Sequence, residues 1–581
     1  METATYTRTP RTPRRRKGGG ARVVFLFFII GIIAAAGWGY YIKFVPSNEH
    51  VVVSYSSEHP ITFRGEVMDD GALIENGELK LPLTAVDAIL GEDKPIRYEA
   101  DSGSIIMTTA DKVLRLKTDS LTATANSKPY KLRIAAEAKN DTVYIPAGPL
   151  EELYGLKAET IDGTGIVVLL QAGKSVQIAE AVAGKGSPIR TEPTIRAPYV
   201  EKVAAGQSFR IWGEKDGWLY VQGPDGHSGY MAKKHAALTD IETVPEPKRE
   251  SAFIPWKVMG QKINLVWEAV YNKNPDPSTI GALPGVNVVS PTWFELMDGE
   301  GTIKGKADPA YVKWAHNQGM QVWALFKNGF EPDRTTKALA SAETRFSMIQ
   351  QLLGFAELYH LQGINIDFEN VRTSDKENFV QFVRELTPLL HEQGLVVSVD
   401  VTPKSNSEMW SLFLDRAALG KVVDYMMLMA YDEHWASSPK AGSVASLGWT
   451  ENSITRILEE DGVPAGKLVL SLPLYTRIWT EKKDENGKIK VSSKAVGMDK
   501  VKEIVASKKL KPVFDESAGQ NYVEYQEDGA LKRIWIEDDV SIKARVELIR
   551  KYDLGGAASW QRSFQTASIW KTIDEALNKR P

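Results

Sequence analysis

Residues 253–581 predict an α/β fold, a (β/α)8 TIM barrel, on three observations. Eight short strand-like runs alternate with helix-like segments: "INLVWEAV" (263–270), "VNVVSPTWF" (286–294), "QVWALFKN" (321–328), "GINIDFEN" (363–370), "VVSVDVTP" (396–403), "VVDYMMLMAYD" (422–432), "KLVLSLPLY" (467–475) and "GGAASWQ" (555–561). Eight such strands with helices between them over this length is the arithmetic of a closed parallel barrel. Directly behind the fourth run, Ser374 and Glu377 have capping-box spacing, and Phe379, Phe382, Val383, Leu386 and Leu390 follow at helical spacing, as a βα unit requires. The fourth run itself alternates without a break, Ile364, Ile366 and Phe368 on one face and Asn365, Asp367 and Glu369 on the other. A small α+β insertion is expected before the last strand.

The segments ahead of the barrel follow in order. Residues 1–22 form a basic tail with seven Lys or Arg against one acid, Glu2. Residues 23–42, "VVFLFFIIGIIAAAGWGYYI", are 20 uncharged positions, and as a helix they span about 30 Å, a bilayer core. Basic residues before the span predict a single pass with the N-terminus inside and the catalytic region outside. Trp38, Tyr40 and Tyr41 suit the outer interface. The competing reading is a signal peptide cleaved after Ala34-x-Ala36, which would make the protein secreted.

Residues 58–172 read as a small mixed α/β domain. It holds two imperfect copies of one unit, "GELKLPLTAVDAILG" (77–91) and "DTVYIPAGPLEELYG" (141–155), each a strand ending in Pro, a short helix and a Gly. Residues 173–240 hold five short strands with "EKDG" and "GPDG" turns, a small β-barrel. Trp218, Tyr220 and Tyr230 could line a peptide groove there or fill the core. Residues 241–252, polar and Pro-containing, read as a linker.

Composition narrows the function. The chain has 581 residues, no cysteine and a net charge of −3; outside the basic tail 64 basic and 73 acidic side chains leave −9. A mildly acidic body argues against a nucleic-acid partner, because neutralising phosphates needs a basic surface. Without Cys there is no disulfide, thiolate metal site or cysteine nucleophile. No His, Asp and Glu grouping has ligand spacing, so neither metal nor cofactor is expected.

By itself, alternation in "GINIDFEN" is what any one-sided sheet produces, with the polar face wet. In a barrel those residues face the interior, and the ones at the C-terminal end face the mouth, where enzymes of this fold keep their chemistry. Burying two carboxylates there is costly without partners, so the wet-face reading loses its weight.

The residues 362–369, Gln-Gly-Ile-Asn-Ile-Asp-Phe-Glu, resemble the D-G-x-D-x-D-x-E motif of glycoside hydrolase family 18, the chitinase-like (β/α)8 hydrolases. Met429-Ala430-Tyr431-Asp432 is similar to that family's M-x-Y-D. "LPLYTRIW" (472–479) resembles its P-x-Y-G-R segment, with Tyr475 and Arg477 matched and Thr476 in place of Gly, and "GGAASW" its closing strand, ending at Trp560. The resemblance covers 253–581, and "NLVWEAV" and "SPTWFEL" look most like the branch that acts on peptidoglycan, including spore-cortex enzymes. Residues 58–172 resemble the copper amine oxidase N-terminal domain family, with no His cluster for copper, and 173–240 resemble the bacterial Src-homology-3-like domains of wall proteins. Those two domains imply packing or contact with wall peptide or glycan.

The resemblance implies hydrolysis of N-acetylglucosamine-containing glycans with the substrate's own 2-acetamido oxygen as nucleophile, since Asp367 and Glu369 lie on the same side of the bond. It makes Glu369 acid and then base, Asp367 the group that orients the acetamido N–H, and Tyr431 a donor to the acetamido oxygen. Asn365, Met429, Asp432, Tyr475, Arg477 and Trp560 would bind substrate, with Trp560 the floor beneath the sugar. Trp267, Glu268, Trp293 and Phe294 are candidates for the cleft wall. Peptidoglycan and chitin are both open as substrates, and a glycan-binding pseudoenzyme or an interaction scaffold are the readings from other classes.

Gln362 and Asn365 depart from the motif by replacing its first two acids. Carboxylates two residues apart on a strand lie about 6.6 Å from each other. At an effective dielectric near 20 they repel by roughly 2–3 kcal/mol, or about two pKa units. Asn365 is therefore expected to donate to Asp367 and to let it stay ionised to lower pH than a three-acid site would.

Overall fold

The computed structural model describes residues 20–91, 93–182, 184, 186–248, 253–254 and 262–578. The basic tail up to residue 19 and the end of the linker, 249–252, lie outside the described residues. The chain divides into two compact units, one of residues 1–85 and 144–247 and one of 86–143 and 248–581.

In the first unit a helix, Gly20–Phe44, contains a 22-residue stretch from Val23 with mean hydropathy 2.3. Its length and composition are enough to cross a membrane. The duplicated motif folds as two strand–helix pairs, Glu78–Pro82 with Leu83–Leu90 and Thr142–Pro146 with Ala147–Tyr154. The two strands pair antiparallel, Tyr144 opposite Pro82. Gly155 ends the second helix at φ 62°, a left-handed cap that glycine takes without a Cβ clash. Residues 175–243 form one seven-stranded antiparallel sheet, with more strands than the five expected. Within it Tyr220 and Tyr230 pack at 5.2 Å, and the Tyr220 hydroxyl donates to the Gly65 carbonyl at 3.0 Å, so this ring is tied into the unit.

The second unit is built on a closed barrel. Its strands are β1 (Ile263–Glu268), β2 (Val288–Pro291), β3 (Gln321–Lys327), β4 (Gly363–Asp367), β5 (Val396–Val401), β6 (Tyr425–Leu428), β7 (Leu468–Pro473) and β8 (Gly556–Trp560). Each pairs parallel with the next, and β8 returns to β1. Gly556 opens β8 where an added Cβ would lie 2.0 Å from the Ile263 carbonyl oxygen, so only glycine lets the barrel close. The predicted insertion is present before β8, as a five-stranded antiparallel sheet from Tyr475 to Ile536 with a helix, Met498–Ser507.

Period-two alternation sorts the strand residues into two cores. Leu265, Trp267, Trp323, Leu325, Tyr425 and Met427 fill the interior. Ile364, Ile366 and Phe368 point outward to the helices, where Phe368 stacks on Phe379 at 5.5 Å and Phe382 at 6.0 Å. The polar face of β4 is therefore the interior face. The helix behind it runs Lys376–Glu392, and Asp375 stands at its N-cap with no side-chain bond to the helix's backbone N–H groups. The Ser374–Glu377 capping box does not form, because Ser374 belongs to a preceding 3-10 turn, Thr373–Asp375. The run 286–294 breaks after Pro291, and Phe294–Leu296 turns off into a hairpin with Ile303–Gly305.

A five-stranded antiparallel sheet, Ile96 to Lys131, packs on the barrel's outer helices. Arg345, fully buried, bonds Glu385 and Glu99 at 2.7 Å each and the Leu339 carbonyl at 2.9 Å. Arg115 lies 3.9 Å from the Phe346 ring centre, and Ile106 and Val113 join the barrel's helix-side core. Removing one partner of such a group strands a buried charge. Arg345→Met should cost about 3–5 kcal/mol, read as a lower unfolding midpoint in urea, and Arg345→Lys should recover only part because an ammonium cannot span both carboxylates.

Candidate active site

The C-terminal ends of the barrel strands gather the charged residues. β4 ends at Asp367, which puts Glu369 on the loop just beyond it, two residues past the strand rather than on it. Asn328, at the end of β3 and 1% exposed, fixes that loop. Its amide donates to the Glu369 carbonyl at 2.8 Å, and its oxygen accepts the Glu369 N–H at 3.1 Å. The Glu369 backbone is thus clamped while its side chain stays free to work.

Asn365 is fully buried below Asp367. Its oxygen accepts Trp267 Nε1–H at 2.8 Å and the Ser290 hydroxyl at 3.2 Å, and its amide donates to Asp400 Oδ1 at 2.7 Å. The expected bond from Asn365 to Asp367 is absent, because β5 offers a closer acceptor. Trp267 accordingly lies inside the barrel, buried, with its ring edge-on to Trp560 at 6.0 Å. Trp560, at the end of β8, is half-buried and borders the mouth.

Tyr431 and Asp432 follow β6, after Met429, which is 8% exposed. Asp432 Oδ1 accepts the Tyr475 hydroxyl at 2.7 Å and an Arg477 N–H at 2.9 Å. Tyr475 and Arg477 lie on the first strand of the insertion, Tyr475–Lys483, past the end of β7. The Tyr431 and Tyr475 rings meet edge-on at 6.2 Å. Glu268, at the end of β1, is committed to a buried ion pair with Arg562 and accepts the Tyr311 hydroxyl at 3.5 Å, so it braces β1 instead of facing the cleft. Trp293 and Phe294 also leave the candidate wall. Trp293 packs on Tyr311 and bonds Asn274 at 2.6 Å, and Phe294 stacks on Phe355, both on the helix side.

The electrostatics follow from burial. The Asp367 carboxyl is pushed up to about 6, chiefly by desolvation, with Lys327 pulling it down. Glu369 lies well above the carboxylate range, because burial and then the charges of Asp367 and Asp432 oppose its ionisation. Burial raises the Tyr431 hydroxyl as well, followed by Asp400, Tyr475, Asp367 and Glu369, so Tyr431 is a donor. The arrangement provides a carboxylate and a retained carboxylic acid side by side, which is a division of acid and base roles by environment. Burial therefore holds Asp367 above its ordinary value even with Asn365 in place of an acid two residues before it.

Asn328, Ser290, Arg562 and Asp400 were not singled out from the sequence. For Asp400 the signal was available: alternation in "VVSVDVTP" puts Ser398 and Asp400 on one face of β5, the inward one.

Since Asp367 ionises near its ordinary 3.8 when unfolded and near 6 when folded, the unfolded chain binds fewer protons between those values, and stability falls as pH rises through that window. Asp367→Asn should therefore stabilise the protein by on the order of 2–3 kcal/mol above pH 6 and by about nothing below pH 4, measured as the difference in chemical unfolding midpoints at the two pH values.

Residues 300–565 match the Glycosyl hydrolases family 18 model and residues 62–169 the Copper amine oxidase N-terminal domain model. The uncharacterized glycosylase YvbX of Bacillus subtilis (strain 168) is 25% identical over 285 residues, covering 47% of this chain and 80% of YvbX. The cortical fragment-lytic enzyme of the same organism is 26% identical over 264 residues, covering 45% of this chain and 60% of that relative, less than two thirds of its length. The solved spore cortex-lytic enzyme SleL of Bacillus megaterium QM B1551 superposes with a TM-score of 0.49 at 19% identity, covering 65% of this chain and 90% of that one. The family-model match and the two sequence relatives identify residues 300–565 as a glycosyl hydrolases family 18 segment, and the protein is a glycoside hydrolase.

Proposed function

We propose that this protein cleaves N-acetylglucosamine-containing glycans, peptidoglycan foremost, by a retaining, substrate-assisted route, while anchored by its N-terminal helix with the barrel outside the membrane. The observation that carries the reading is the placement of Glu369 at the barrel mouth beside Asp367, its backbone clamped by Asn328, with burial and the charges of Asp367 and Asp432 favouring its protonated form. A carboxyl biased toward its acid form is what a glycosidic oxygen needs as it leaves.

In the reaction, Glu369 gives its proton to the leaving oxygen as the acetamido carbonyl oxygen attacks the anomeric carbon. The bond to the leaving sugar breaks and a cationic oxazolinium forms. Asp367, ionised, accepts the acetamido N–H and sits against the positive charge, while the Tyr431 hydroxyl donates to the acetamido oxygen and aims it. Trp560 supports the apolar face of the sugar. Glu369, now a carboxylate, takes a proton from water, which opens the ring with overall retention. Asp432, aligned by Tyr475 and Arg477, holds a sugar hydroxyl or amide beside Tyr431.

Peptidoglycan is placed ahead of chitin because "NLVWEAV" and "SPTWFEL" resemble the peptidoglycan branch and one relative is a cortical fragment-lytic enzyme. The anchor reading is supported by the exposed apolar stretch Val23–Phe44, of mean hydropathy 2.3, in which Lys43 near the end is the one charge.

Glu369→Gln should lower muropeptide release from purified sacculi by at least about 100-fold, measured by mass spectrometry of the products. Release of chito-oligosaccharides alone by the wild type would assign chitin instead, and release from neither glycan would sink the enzymatic reading on both. The pH profile of kcat/KM should fall on the acid side near 6, as Asp367 takes up its proton.

A further inference from the structure

Although the fourth strand has Asn365 where the family motif has an acid, the interior has not lost a carboxyl. Asp400 on β5 is 2% exposed and lies in the same inward layer. The parallel register sets Asn365 beside Ser398 and Ile366 beside Val399, so Asp367 and Asp400 come next as neighbours on strands about 4.8 Å apart.

The hydrogen bonds around the two carboxyls are asymmetric. Asp400 Oδ1 accepts the Asn365 amide at 2.7 Å, and that amide cannot turn, because its oxygen is held by Trp267 and Ser290. Asp367 Oδ1 is buried and has no hydrogen-bond partner among the described residues. A buried carboxylate oxygen without a donor is costly. The group on the adjacent strand that can supply one is the Asp400 carboxyl in its acid form.

We propose that Asp400 is a positioning residue: it remains protonated and donates its carboxyl proton to Asp367, which thereby keeps its charge beside the reacting sugar. The groups facing Asp400 agree with this. Asp367 and Glu369 face it from β4 and its loop, and the Tyr431 hydroxyl from the segment after β6, while the cation among the described residues, Lys327 on β3, acts on Asp367. Burial and the neighbouring acids push Asp400 well above the carboxylate range, with the Asn365 bond pulling the other way. Asn365 and Asp400 thus act together, the amide seating the acid so that its second oxygen serves Asp367.

The assignment rests on the reading of Asp367 as the group that orients the acetamido N–H, and the test separates the two. Asp400→Asn keeps a donor toward Asp367 and should leave kcat within about threefold, with the acidic limb of the pH profile in place. Asp400→Val removes the donor and should lower kcat by about tenfold or more and move the acidic limb up by roughly one pH unit. Unfolding midpoints across pH read the same titration without turnover: the loss of stability that accompanies Asp367 ionisation should extend to higher pH in Asp400→Val and not in Asp400→Asn. An Asn variant as impaired as the Val variant overturns the proposal, as does a Val variant whose midpoints drop equally at every pH with the acidic limb unmoved. A wild type inactive on every glycan overturns the functional reading alone, and the midpoint comparison still decides Asp400.

Discussion

Concentrating carboxyl groups inside a closed sheet is the constraint on which this molecule is organised. Asp367, Asp400 and Glu369 lie within one another's fields, Asp400 buried and the other two half-buried at the mouth. Each would cost several kcal/mol as an isolated charge. The protein meets that cost by rationing charge, not by pairing each acid with a base. One cation, Lys327, acts on Asp367, and the other two carboxyls are kept toward their neutral forms.

Rigidity around this cluster comes from neutral donors. Asn365 spends three hydrogen bonds on tying β1, β2 and β5 to β4, and Asn328 spends two on the Glu369 backbone. An amide suits both places because it donates and accepts at once and has no charge to lose with pH. The ionisable groups can then change state during turnover without the scaffold changing with them. Beside the cluster, two ion pairs brace the strand ends, Arg562 holding Glu268 and Arg477 holding Asp432.

How much of this was legible depended on whether a residue's role was local. Alternation in "GINIDFEN" and the Phe379–Leu390 spacing read correctly because strand and helix periodicities are set by the backbone, and the four motifs named Glu369, Asp367, Tyr431, Asp432 and Trp560, which lie at or just past the C-terminal ends of β4, β6 and β8. Failures came from partners distant in sequence. Glu268 looked like a cleft acid until Arg562, 294 residues away, was seen to take it. Asn365 was assigned to the neighbour two residues along its own strand, whereas Asp400 on the next strand is the closer acceptor. Trp293 and Phe294 were misjudged because the chain turns after Pro291, which reverses the inside–outside count.

The docked sheet of residues 96–131 changes where the catalytic region can be said to begin. Its Glu99 completes the coordination of Arg345, and its Ile106 and Val113 sit in the same apolar layer as the barrel's own helices. A fragment beginning at residue 253 would carry every residue of the candidate site yet expose that layer and leave a buried guanidinium half satisfied. The natural border of the enzyme is therefore a surface in space and not a position in the chain. Domain shuffling at that point would transplant the site without the sheet that seals its outer wall.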